Sequence, residues 1–126
     1  DLHKIGVLSE SLPFYMTKPW FNYQKKNQFL PKHTHDGVYS FSLWLQIPYE
    51  YDKEKVHNSW NGDMLQCFEF TYLTIDGQFK FHNIPLSKED EGTIIMFPSK
   101  LPHMAYPFYS TDGTRISVSG NISFKV

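Results

Sequence analysis

The first side chains in this sequence whose types and spacing suggest chemistry are His33 and His35, in "PKHTHDG" (31–37). On an extended strand, residues i and i+2 point to one face, so both imidazoles can converge on a single point. Neutral imidazoles brought together on rigid elements are a standard start for a metal site. A solvated loop accounts equally well for the pair taken alone, so a third ligand must come from elsewhere. His3 lies near the chain end, and His57 falls in the polar stretch "YEYDKEKVHNSWNGD" (49–63). His82, in "FKFHN", alternates with Lys80 and is expected to face solvent. His103 differs from these. It sits in "FPSKLPHMAYPF", where two prolines and several aromatics stiffen and dry its surroundings. A packed core histidine would look the same.

Twelve residues further on, Arg115 opens the segment "RISVSGNISFKV" (115–126). Strand periodicity puts Arg115, Ser117, Ser119 and Asn121 on one face and Ile116, Val118, Ile122 and Phe124 on the other. A guanidinium, two hydroxyls and an amide in a row suit a polar pocket wall, where arginine grips a carboxylate through two parallel hydrogen bonds. A solvated sheet face is the alternative.

The elements that must position these groups read as β-rich. "WFNYQKK" (20–26) and "VYSFSLWLQI" (38–47) alternate, and the second places Tyr39, Phe41, Leu43, Leu45 and Ile47 opposite Ser40, Ser42, Trp44 and Gln46. "LQCFEFTYLT" (65–74) and "QFKFHNI" (78–84) flank the hairpin signal "IDG", and "GTIIMFPS" (92–99) reads as a short buried strand. Phe41, Leu43, Phe68, Phe70, Ile95 and Val118 are the expected core. Eight prolines leave no room for long helices, and 49–63 reads as a loop with one helical turn. The length of 126 residues suits one domain. The pattern predicts an all-β fold, a sandwich or double-stranded jelly roll.

Composition narrows the function classes. A net charge of −1 without a basic run argues against nucleic-acid binding. No apolar stretch approaches the ~20 residues of a membrane helix, and no signal peptide is visible. The single Cys67 excludes an internal disulfide and favours a reducing, cytoplasmic setting.

At this point the residues resemble a family. "PWFNYQKKNQFLPKHTHDG", "SFSLWLQIPY" and "EGTIIMFPSKLPHMAYPFYSTDGTRISVSGNI" look like the 2-oxoglutarate and Fe(II)-dependent oxygenases. They look most like a small prolyl-hydroxylase-like group encoded by marine tailed phages, which would place the protein in a host cytoplasm. The resemblance implies a double-stranded β-helix (jelly roll, cupin-like) with little helix, as one domain over 1–126 with a lead-in at 1–17 and a core at 18–126. It implies Fe(II) and 2-oxoglutarate as cofactors, O2 as co-substrate, and hydroxylation of a protein side chain or small metabolite. Carried onto this chain, it makes His33, His35 and His103 the catalytic metal ligands, with Arg115, Ser117 and, less directly, Asn121 at 2-oxoglutarate. His35 departs from the family pattern, which has Asp or Glu there. Asp36 is the alternative ligand if the backbone leaves strand geometry before Gly37. A non-catalytic jelly-roll module, ligand-binding or virion-associated, and a structural zinc site are the competing readings.

Overall fold

The computed structural model describes residues 13–57 and 66–125. His3, most of the expected lead-in and the end of the polar segment fall outside the described residues. Among the described residues nine strands, all paired antiparallel, make two sheets. The first has the order β1 (Phe14–Met16), β9 (Thr114–Phe124), β4 (Tyr39–Gln46), β7 (Ile94–Pro98), and β2 (Trp20–Lys25) also pairs with β9. The second has the order β3 (Leu30–His33), β8 (His103–Ala105), β5 (Phe68–Leu73), β6 (Phe79–Ile84). This is the jelly roll that the alternation and the resemblance predict. The expected segments at 20–26, 38–47, 65–74, 78–84, 92–98 and 115–124 all hold strands. The alternation does not reveal the short β1, β3 and β8, and β1 lies inside the expected lead-in. At three or four residues each, they are too short to display a period.

Local chemistry explains the connections. β5 and β6 form the expected hairpin, closed by Thr74 N–H on Gln78 O at 2.9 Å, with Gly77 at φ 82°. The described part of the polar segment carries a short helix, α1 (Tyr51–Lys55). Buried Glu54 docks it by accepting backbone N–H bonds from Tyr109 and Ser110, both 2.8 Å. Among the described residues no helix is long and apolar enough to cross a membrane. Gly37, at φ 106°, turns the chain out of the second sheet into the first. A Cβ there would stand 2.9 Å from Ile122 O, so glycine is required both for conformation and for space.

The core corrects one expectation. Phe68 and Phe70 are buried, and Ile95 packs against the core, but Phe41, Leu43 and Val118 are only half-buried. On β4 the enclosed face carries Ser40, Ser42 and Trp44, all buried. The period was right and the facing reversed. Much of the interior of the first sheet is a polar wall, so Phe41, Leu43 and Val118 point outward, while Trp44 and Phe97 stay in the core.

On the second sheet, buried Glu69 accepts from Lys32 Nζ (3.0 Å), Tyr106 Oη (2.8 Å) and Thr71 Oγ1 (3.1 Å). Burial raises the Glu69 carboxyl, but these donors outweigh it and hold the group below the ordinary 4.5. Burial, with Glu69 adding to it, pushes the Tyr106 hydroxyl up to about 12. The fold therefore favours the Glu69 carboxylate. Its stabilising contribution is complete above pH 4.5 and drains away as the pH falls below that value. Glu69→Gln is expected to cost about 1–3 kcal/mol at neutral pH and to flatten the acid limb of the stability curve, as urea melts across pH will show.

Candidate active site

His33 ends β3 and stands directly opposite His103 on β8, as cross-strand partners. His103 is buried between Phe68, Phe70 and Phe97, with Phe97 nearest at 4.7 Å between ring centres. His35 lies just beyond the strand, its backbone N–H fixed to Ser99 O at 2.8 Å and its ring 5.3 Å from that of Trp20. One ligand nitrogen from each of the three rings lies within 4.8 Å of the others. Nε2 of His35 and Nε2 of His103 are 3.2 Å apart.

The second ring nitrogen is engaged in His33 and His103. His33 Nδ1 lies 2.7 Å from Pro31 O, and His103 Nδ1 lies 2.9 Å from Leu101 O. A carbonyl can only accept, so Nδ1 carries the proton and Nε2 presents its lone pair inward. Burial, with His33 and His35 adding to it against the pull of the Leu101 carbonyl, lowers His103 to about 4. Burial and His33 also lower His35, against the opposing charge of Asp36. These rings are neutral at physiological pH, the form that binds metal. Three Nε2 donors within this span suit Fe(II) or Zn(II), whose ligands at ~2.1 Å lie about 3–3.5 Å from one another, after a small inward closure.

The remaining described imidazoles stand elsewhere. His57, beyond α1, and His82, on edge strand β6, are exposed. Asp36 points outward and pairs with Lys100 Nζ at 3.0 Å. It takes no part in the cluster.

The triad opens into a cavity of about 730 Å³ that Arg115, Ser117 and Ser119 also line. Arg115 is 3% exposed. Its Nη1 donates to Tyr49 Oη (2.6 Å) and Gln66 O (3.1 Å), and its Nη2 donates to Gln24 Oε1 and Tyr106 O (3.1 Å). All four partners are neutral, and no carboxylate pairs with it among the described residues. The guanidinium also lies 5.9 Å from the ring centres of both Tyr49 and Phe108. Burial raises the Tyr49 hydroxyl against the pull of Arg115, so it stays protonated. A buried cation held only by neutral groups retains its attraction for an anion.

Asn22 Nδ2 bridges Ser117 Oγ (3.3 Å) and Ser119 Oγ (3.0 Å), completing the polar wall with Ser42. Asn121, expected at the co-substrate, lies outside the cavity lining. Its Oδ1 is 2.8 Å from Ser40 Oγ, which is 2.9 Å from Ser99 Oγ, so it braces the turn that carries His35. Sequence reasoning missed Tyr49. It lies 66 residues from Arg115, and only a search for acceptors for a buried guanidinium could have found it.

A jelly roll with three convergent imidazoles and a buried arginine in one cavity defines a class of metal-dependent oxygenase architecture. Residues 18–121 match the family described as "Putative 2OG-Fe(II) oxygenase", and the chain belongs to that family. The family implies Fe(II) and 2-oxoglutarate as cofactors. No curated protein matches the chain. Among solved structures, an oxidoreductase of the 2OG-Fe(II) oxygenase family from Burkholderia pseudomallei is similar at TM-score 0.63 and 13% identity, over 93% of this chain and 48% of that one. A Pseudomonas putida prolyl-4-hydroxylase is similar at TM-score 0.54 and 18% identity, over 93% of this chain and 57% of that one. The chain thus spans about half the length of these structures, and at such identities they bear on fold alone.

His103→Ala and His33→Ala are each expected to weaken Fe(II) uptake by more than the ~10–100-fold typical of losing an outer partner. Asp36→Ala should leave uptake unchanged. Anaerobic calorimetric titration of Fe(II) into each variant reads the difference, and an unaffected His103→Ala would mean that the rings do not share an ion.

Proposed function

We propose that this chain is a 2-oxoglutarate and Fe(II)-dependent dioxygenase that hydroxylates a C–H bond of a protein side chain or a small metabolite. The observation that carries the reading is the buried Arg115, without an anionic partner among the described residues, in the same cavity as three inward-facing Nε2 atoms. We further assign it to the prolyl-hydroxylase-like group of tailed phages, acting in a host cytoplasm. The three sequence blocks support that assignment, and the prolyl-4-hydroxylase neighbour is compatible with it.

When bound, Fe(II) and 2-oxoglutarate supply the oxidation: O2 places one atom in succinate, with loss of CO2, and the other in the substrate C–H bond. The residues prepare the place for it. His33, His35 and His103 hold the metal through Nε2, and the Nδ1 contacts of His33 and His103 fix those two ring planes. Arg115 grips the distal carboxylate of 2-oxoglutarate, with Ser117 beside it and Tyr49 orienting the guanidinium. Gln24 Oε1 occupies the seat that carboxylate takes, and Gln24 Nε2 also bonds Gln28 O (2.5 Å) and Tyr106 O (3.1 Å). As a side chain on an edge strand, it can swing away. Trp20, Trp44 and Phe68 wall the cavity against water.

Arg115→Ala is expected to weaken 2-oxoglutarate binding by about 30-fold to several thousand-fold, the range for truncating a buried charged contact, while metal uptake stays intact. Arg115→Lys should rescue little, because one ammonium cannot reproduce a two-pronged grip. Gln24→Glu should also weaken binding, by placing a competing carboxylate on the guanidinium. Titration of 2-oxoglutarate into metal-loaded protein decides this. Equal affinity in all four proteins would overturn the reading, as would the lack of a visible charge-transfer band with anaerobic Fe(II) and 2-oxoglutarate.

A further inference from the structure

Four acceptors occupy the terminal nitrogens of Arg115, and one of them is free to leave. A guanidinium has five N–H donors, and each terminal nitrogen carries two of them. Nη1 spends its pair on Tyr49 Oη and Gln66 O, and Nη2 spends its pair on Gln24 Oε1 and Tyr106 O. Gln66 O and Tyr106 O belong to the main chain and are fixed by the fold. Tyr49 is 3% exposed, with its ring centre 4.8 Å from that of Phe108. Gln24 is a half-buried side chain on β2. A carboxylate gripped at two points needs at least one of these four hydrogens back. Gln24 is the acceptor that gives way.

The same amide also fastens the turn between β2 and β3. Both hydrogens of Gln24 Nε2 are spent, one on Gln28 O (2.5 Å) and one on Tyr106 O (3.1 Å). Gln28 Oε1 accepts from Lys25 N–H at 2.8 Å, and Gln28 N–H donates to Lys25 O at 3.1 Å. Asn27 N–H donates to Phe108 O at 3.0 Å, with Asn27 held at φ 66°, a conformation that residues with side chains adopt reluctantly. A carboxamide is planar by the same resonance as a peptide bond. Drawing its oxygen off Arg115 therefore pulls its nitrogen off Gln28 O and Tyr106 O. Asn27, Gln28, Phe29 and Leu30 line the same cavity as the three imidazoles.

We infer that Gln24 is a positioning residue that couples the co-substrate seat to the β2–β3 turn: a carboxylate arriving at Arg115 displaces Gln24 and loosens residues 25–30. The inference rests on the proposed reading of Arg115 as the anchor for 2-oxoglutarate. Such a coupling is reciprocal by thermodynamic necessity. Whatever the carboxylate does to the turn, loosening the turn does to the affinity for the carboxylate. The cavity lining at Phe29 and Leu30 thus answers to the occupancy of a seat that it does not touch.

Amide hydrogen exchange of the full chain, loaded with Zn(II) to prevent turnover, tests this. The probe is 2-oxoglutarate, and calorimetry follows its binding. A ligand that only stabilises the fold slows exchange. Here the amides of Lys25, Asn27 and Gln28 are expected to exchange several-fold faster with 2-oxoglutarate than without it. In Gln24→Ala they are expected to exchange fast from the start and not to respond. The same variant should bind 2-oxoglutarate about tenfold more tightly, since a hydrogen bond to a charged group no longer has to be broken. Gln28→Ala alters neither Arg115 nor the three histidines. It removes the acceptor of Lys25 N–H and is expected to tighten 2-oxoglutarate binding a few-fold through the turn alone. Gln28 is exposed, so this variant decides the matter if Gln24→Ala does not fold. Failure of 2-oxoglutarate to bind the wild type overturns the underlying reading and this inference with it. Binding that slows the three amides, or leaves them unchanged, overturns the inference alone. An affinity of Gln28→Ala equal to that of the wild type does so too.

Discussion

The structure depends on one constraint: the enclosed face of the first sheet must hold a permanent positive charge. Burying a guanidinium is unfavourable unless its donors are met, and Arg115 meets four acceptors at once: a tyrosine hydroxyl, a carboxamide and two backbone carbonyls. These come from β2, from the segment after β4, from Gln66 and from the loop after β8. The charge thereby ties remote parts of the chain to one point. The same need for satisfied polar groups runs along the wall. Asn22, Ser117, Ser119 and Ser42 bond to one another, and Ser40, Ser99 and Asn121 continue the line to the His35 turn. A polar interior also dictates the exterior. With period-two alternation, every inward serine sends an aromatic or aliphatic neighbour outward.

That trade explains what could be read from the sequence. The alternation of β4 and β9, the hairpin at "IDG" and the crowd of prolines gave the all-β class directly. His103 stood out through its aromatic, proline-flanked setting, and the structure seats it among three phenylalanines. Facing was harder. Hydrophobic periodicity reports two faces and not which one is enclosed, so the usual preference for apolar cores points Phe41, Leu43 and Val118 inward. The inward direction of Arg115 was the better clue, because β9 pairs with β4 and fixes the facing of Ser40 and Ser42 with it. The short strands and Tyr49 stayed hidden. Three residues cannot show a period, and a hydrogen bond across 66 positions leaves no local mark.

The three-histidine set completes the electrostatic logic. An Asp or Glu at position 35 would offset one charge of a divalent metal; an imidazole offsets none. Asp36, the nearest carboxylate in sequence, is turned out to Lys100, and Glu69 is committed to Lys32 on the far side of the second sheet. Among the described residues no acidic side chain lines the cavity. With metal in place, the cavity would hold a divalent cation at one end and a guanidinium at the other, with no resident anion between them. A dicarboxylate is the kind of ligand that neutralises both ends at once, and in a poorly solvated cavity each contact is worth more than it would be in water. In this arrangement metal and co-substrate affinity would be coupled: each charge left unpaired by the protein would make the other partner's arrival more favourable. On the proposed reading, the histidine at position 35 would then shift work from the protein to the ligand. It would lower the intrinsic grip on a hard cation and raise the dependence of that grip on the dianion.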